Sequence, residues 1–80
     1  MFLPELEILI NDDRIKSVAF IRPSGYTDWE IHFTWSNMTA SREPFLQVRS
    51  TGERKVYTSL DRALDTLRRL GYMGNIEIQG

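Results

Sequence analysis

His32 is the one histidine of the chain, and Glu30 and Thr34 stand two residues to either side of it. In an extended segment these three share a face. An imidazole beside a carboxylate can carry a proton or contact a partner near neutral pH. A solvated strand face accounts for the same residues without any chemistry. A single histidine excludes a histidine metal cluster, and the absence of cysteine removes thiol nucleophiles, cysteine metal sites and disulfides together. Asp12-Asp13 could begin an acid or metal site, but no third carboxylate lies near, and a loop after a helix explains the pair. Ser24, Ser36, Ser41, Ser50 and Ser59 lack the strand-to-helix elbow of a nucleophilic serine. The five glycines are isolated, so none builds a phosphate loop. Asp61 and Asp65 lie one helical turn apart, with Arg68 and Arg69 within pairing reach of Asp65. Neither catalysis nor a cofactor nor a bound metal is expected.

The elements that must position these residues are legible in the periodicity. Thr58–Gly71 is the strongest helix: Leu60, Ala63, Leu64, Leu67 and Leu70 recur at three- and four-residue steps. Thr58 is the expected cap, with Asp61 reaching back to it, and Gly71 is the expected left-handed stop. Residues 3–11 read as a shorter helix, with Pro4 at its start and Leu3, Leu6, Leu9 and Ile10 as its stripe. Ile15–Arg22 reads as a strand whose unbroken apolar run, Val18 to Ile21, suits either cover on both faces or a central position. After the Pro23-Ser24-Gly25 turn, Asp28–Trp35 alternates cleanly. Trp29, Ile31, Phe33 and Trp35 point to the core, and Glu30, His32 and Thr34 point to water. Phe45–Ser50, Lys55–Tyr57 and Asn75–Gln79 complete the strands, with a Thr51-Gly52 turn between the first two. The expected fold is a single α+β domain spanning residues 1–80. It has a mostly antiparallel four- to five-stranded sheet with two helices packed on one face, in the order α-β-β-β-β-α-β. The last helix permits a crossover to a parallel terminal strand.

Eighty residues, 41% hydrophobic, suffice for one modest core. No window approaches a membrane span, and Met1–Ile10 carries two glutamates and only a short apolar run, so a cytoplasmic protein without a leader is expected. Asn37-Met38-Thr39 matches the glycan acceptor pattern, a chance match if there is no leader. A net charge of −1 argues against strong adhesion to DNA. Charge is nevertheless uneven: Arg42, Arg49, Arg54, Lys55, Arg62, Arg68 and Arg69 all fall in the second half, and together they could form an electrostatic footprint.

The run from Thr51 to Gly71, followed by Asn75-Ile-Glu-Ile78, resembles small accessory proteins of bacterial plasmids and integrative elements, some described as ParC-like and partition-associated. Trp29, Tyr57, Ser59-Leu60-Asp61, Ala63-Leu64 and Arg68-Arg69-Leu70-Gly71 carry the likeness. It implies an accessory protein of a mobile element and identifies no active site. Arg54-Lys55 and the turn before them are also similar in style to the arm-binding modules of phage integrases, which lay a sheet in the DNA major groove. The pI of about 5.7 counts against that version.

The expected function is therefore non-catalytic: a protein partner bound through the water-facing side of the sheet, with a homodimer as one form of that contact. Glu30, His32, Thr34, Arg49 and Tyr57 are the candidate contact residues, and Tyr26, Trp29 and Tyr72 are candidate aromatic anchors. The exposed sheet edges offer pairing by strand addition as a second route. The alternatives are a nucleic-acid-binding module using the seven basic residues, and a small inhibitor of a host defence complex.

Overall fold

A computed structural model describes residues 1–36 and 43–80. The Asn37-Met38-Thr39 acceptor pattern, Ser41 and Arg42 lie outside the described residues. The element order is α1 (Leu3–Asn11), β1 (Ile15–Ile21), β2 (Trp29–Trp35), β3 (Val56–Tyr57), α2 (Leu60–Arg69) and β4 (Ile76–Gln79). No helix among these residues is long and apolar enough to cross a membrane.

Two strands dominate the sheet. β1 and β2 pair antiparallel, with Val18 opposite Phe33 and Phe20 opposite Ile31, so these four side chains share one face. The hairpin turns at Pro23–Tyr26, where Gly25 takes φ 85° and the Tyr26 N–H donates to the Pro23 carbonyl. A left-handed residue at that point of a tight turn favours glycine. On its other side β1 pairs with β4 in parallel, which gives the strand order β3-β2-β1-β4. β1 therefore has a hydrogen-bonded neighbour on each side, but of its apolar run only Val18 and Phe20 face the core, while Ala19 and Ile21 lie on the opposite face. The terminal strand is parallel because α2 carries the chain back across the sheet. The sheet is mixed rather than antiparallel throughout.

Phe45–Ser50 is not a strand, so among the described residues the order is α-β-β-β-α-β with four strands. Only single bridging pairs form, His32 with Phe45 and Gln47 with Arg54. Pro44 offers no N–H to a ladder, and the backbone closes a turn directly after Gln47. There the Val48 N–H donates to the Glu53 carbonyl at 2.7 Å and the Gly52 N–H to the Val48 carbonyl at 2.8 Å. The Thr51-Gly52 turn itself is present, with Gly52 at φ 74°.

Leu6 and Leu9 from α1 and Ala63 and Leu67 from α2 join Val18, Phe20, Ile31, Phe33, Trp35, Leu46 and Met1 in one buried cluster. Both helices thus contribute to the core on the same side of the sheet. The α2 cap is Ser59 rather than Thr58: the Ser59 Oγ accepts from the Arg62 N–H at 3.3 Å, and Asp61 serves as an acidic residue of the first turn. Gly71 ends the helix at φ 96°, the left-handed stop expected of it. α1 starts one residue before Pro4, with the Glu5 carboxylate accepting from the Phe2 N–H at 3.4 Å. Asp12 and Asp13 end this helix, Asp13 in the left-handed region at φ 57°.

Two stripe residues stay outside. Leu3 is exposed at the first turn of α1, and Leu64 is 36% exposed. α2 lies over β2 and β3, so Leu64 looks along the sheet toward β4 rather than into the core. Truncation separates the two sides of the helix. Leu67→Ala is expected to cost about 2–4 kcal/mol and Leu64→Ala under about 1 kcal/mol in urea denaturation; equal losses would contradict this packing.

Candidate functional site: the open sheet face

The side of the sheet opposite the helices collects the residues whose chemistry first drew attention, in an arrangement tighter than alternation alone suggested. Glu30 is not a solvated residue: it is 8% exposed. One of its oxygens, Oε1, meets both His32 Nε2 at 2.8 Å and Arg54 Nη1 at 3.0 Å. Its burial is lateral. Residues 44–46 run along the edge of β2, with the Phe33 N–H donating to the Pro44 carbonyl and the Leu46 N–H to the Ile31 carbonyl, each at 3.0 Å. This brings Phe45 alongside His32, ring centroids 5.8 Å apart. The Arg54 guanidinium then lies 4.2 Å from the Phe45 ring centre, a cation–π contact that roofs the carboxylate.

Desolvation by burial raises the Glu30 pKa, but the hydrogen bonds from His32 and Arg54 and the attraction of their charges outweigh it. The net effect holds the carboxyl below its ordinary value. An ionised Glu30 only accepts, so the imidazole donates through Nε2–H. The group is thus a satisfied polar cluster that fixes the 43–55 segment against β2, rather than a free acid–base pair.

Beyond this cluster the face is open. Ala19 and Ile21 of β1 are half-buried, whereas Ser17, Thr34, Glu77 and Gln79 are exposed. The Ser17 and Thr34 hydroxyls lie 2.6 Å apart. His32, Pro44, Ala19, Thr34, Glu77 and Gln79 line a shallow depression in the centre of this face.

The structure separates the other proposed contact residues from it. Tyr57 pairs with Trp29, so it lies on the helix-covered face and packs against the core; Val56, opposite Glu30, is the β3 residue on the open side. Arg49 sits in the turn after Gln47 and, with Tyr57, borders a recess beside Leu3 and Pro4 of α1. Of the aromatic anchors, Tyr26 is exposed in the hairpin turn. Trp29 has Arg22 4.9 Å from its ring centre, and the Tyr72 hydroxyl donates to the Asn75 carbonyl at 2.8 Å.

Among the described residues most of the basic side chains are engaged within the domain. Arg54 is engaged by Glu30, Lys55 stands over the Tyr57 ring, Arg69 pairs with Asp65 at 2.8 Å and Arg68 donates to the Tyr72 carbonyl. Arg62 shares its recess with Asp61 and Asp65. Among the described residues no group of three or more His, Asp or Glu is placed to hold a metal ion.

No family model, curated protein or solved structure matches the chain. The functional reading therefore rests on this geometry. Sequence reasoning missed the coupling of Arg54 to Glu30, and with it the role of Phe45. The Thr51-Gly52 turn held the signal for Arg54, since a tight reversal there returns Arg54 beside Gln47 and so toward β2.

The cluster makes stability depend on pH in a defined direction. The folded-state pKa of Glu30 lies below the unfolded one, so the unfolded chain takes up the proton first. The contribution is complete above the ordinary carboxylate range and is lost as pH falls through the lower folded value. Glu30→Gln should cost roughly 1–3 kcal/mol at neutral pH. That difference from wild type should shrink as urea denaturation is repeated from about pH 6 down to about pH 3. A difference independent of pH would mean that the carboxylate charge contributes nothing.

Proposed function

We propose that the chain is a non-catalytic interaction module that contacts a protein partner through the open face of its sheet. The observation that carries this reading is the asymmetry of cover. Both helices lie on one side, and the opposite side leaves two apolar residues, Ala19 and Ile21, only half-buried among Ser17, Thr34, Glu77 and Gln79. A central apolar patch with a polar rim is the usual composition of a contact surface. The Glu30–His32–Arg54 cluster supports the reading from below. Its groups satisfy one another, so His32 and Glu30 are already paired before any contact is made, and a preorganised surface loses less entropy when it binds. Scattered and mostly paired basic residues lend less support to nucleic acid, which needs unpaired cations aligned with a phosphate backbone.

The test places a photo-crosslinking residue at Thr34, on the open face, and in a separate variant at Met73, exposed in the connection between α2 and β4. In lysate of the native host, Thr34 should give a discrete protein adduct that Met73 does not give. Adding Ala19→Asp to the Thr34 variant should abolish that adduct while leaving the far-ultraviolet circular dichroism unchanged. Equal labelling from both positions, or an adduct indifferent to Ala19→Asp, would remove the open face as the contact surface.

A further inference from the structure

β4 ends the sheet, and among the described residues no strand flanks its outer side. Which backbone groups it presents there follows from one hydrogen bond. The Arg22 N–H donates to the Gln79 carbonyl at 2.8 Å, so Gln79, and by alternation Glu77, turn their polar groups toward β1. The N–H and C=O of Ile76 and Ile78 therefore point outward. Sheet edges are ordinarily blunted by proline, lysine, a bulge or a covering loop. Ile76-Glu-Ile-Gln79 carries neither proline nor lysine, and it adds an apolar side chain, Ile78, that is 61% exposed on the helix side of the sheet.

We propose that this edge pairs with the same edge of a second copy, antiparallel across a two-fold axis at Ile78. The residues select both the occupant and the register. A two-fold axis normal to the sheet keeps the two helix-covered faces on one side, so only registers that match the strand alternation are allowed. One allowed register sets Glu77 against Glu77 of the second copy, which places like charges directly opposite one another. The neighbouring one centres on Ile78. There the two Ile78 residues exchange N–H···O=C bonds, Ile76 stands opposite Gly80 of the second copy, and each Glu77 faces a Gln79 amide. Glu77 and Gln79 already form that hydrogen bond within one chain, Nε2 to Oε2 at 3.1 Å, and the dimer repeats it between chains. On the helix side the paired Ile78 side chains cover one another. They extend the apolar floor formed by Phe20, Ile76 and Ile78 beside Leu64. The product is an eight-stranded sheet whose two open faces are continuous. The inference does not depend on the open-face reading, since it uses the edge and leaves that face uncovered.

A four-residue edge makes a small interface, so the association is weak and depends on concentration. Sedimentation equilibrium of the full chain from about 10 μM to about 1 mM should show a reversible monomer–dimer equilibrium. Ile78→Lys places two ammonium groups at the axis and should weaken the dimer at least about tenfold. Gln79→Lys sets a cation against Glu77 at both symmetric positions and should tighten it by about three- to tenfold. This second variant sits on an exposed residue and keeps the test decisive if Ile78→Lys disturbs folding. In the cysteine-free chain, Ile78→Cys should give an oxidised dimer, while Val56→Cys on the opposite edge should not. A monomer throughout the range overturns the proposal. So does a dimer that Gln79→Lys leaves unchanged, or one that Glu77→Gln tightens in its place.

Discussion

The structure depends on the burial of one face of the β1–β2 hairpin. Val18, Phe20, Ile31 and Phe33 form a single apolar surface because the antiparallel register sets them opposite one another, and each is almost fully buried. Burying a side chain of this size is worth about 1.5–3 kcal/mol, and in an 80-residue chain little else is available at that scale. Neither helix would be stable in water by itself. Leu6, Leu9, Ala63 and Leu67 make them elements of the domain by covering this surface. Among the described residues both helices are used on this side, which leaves the other side of the sheet without helical cover.

The second constraint is how that open face is kept orderly. A carboxylate in the middle of a sheet is costly to desolvate unless it is paired, and here His32 and Arg54 both bond to it. Arg54 reaches Glu30 only because the chain reverses at Thr51-Gly52, and its stacking on Phe45 holds the irregular 43–55 segment beside β2. The ammonium group of Met1 strengthens the same segment from the other side, donating to the Phe45 carbonyl at 2.9 Å and to the Gln47 side chain. Residues that resemble a proton-transfer pair in the sequence thus act as a clasp between a strand and a connection without regular structure.

What the sequence made legible was whatever follows from local period and capping chemistry. The two helices, the hairpin and the parallel option for the last strand are visible because each depends on spacing within a dozen residues or so. Phe45–Ser50 misleads because its apolar content resembles a strand, yet Pro44 and the turn at Val48–Glu53 leave it single bridging pairs only. Thr58 and Ser59 compete for one cap, and only the backbone decides in favour of Ser59. The face of Tyr57 is not legible in the sequence because register between β2 and β3 is set by a long connection, and a shift of one residue reverses the face of a side chain. The burial of Glu30 depends on contacts with residues 45 and 54, at sequence separations that periodicity does not encode.

The sheet is shielded on one side and accessible on the other, and the absence of cysteine allows this to be read directly. Single cysteines at Thr34 and at Ala63, one exposed on the open face and one on the buried side of α2, can be challenged with a thiol reagent under native conditions. Thr34→Cys is expected to react at close to the rate of an unfolded peptide, whereas Ala63→Cys reacts only as fast as the domain unfolds. Fast labelling at position 63, or protection at position 34 in dilute solution, would contradict it.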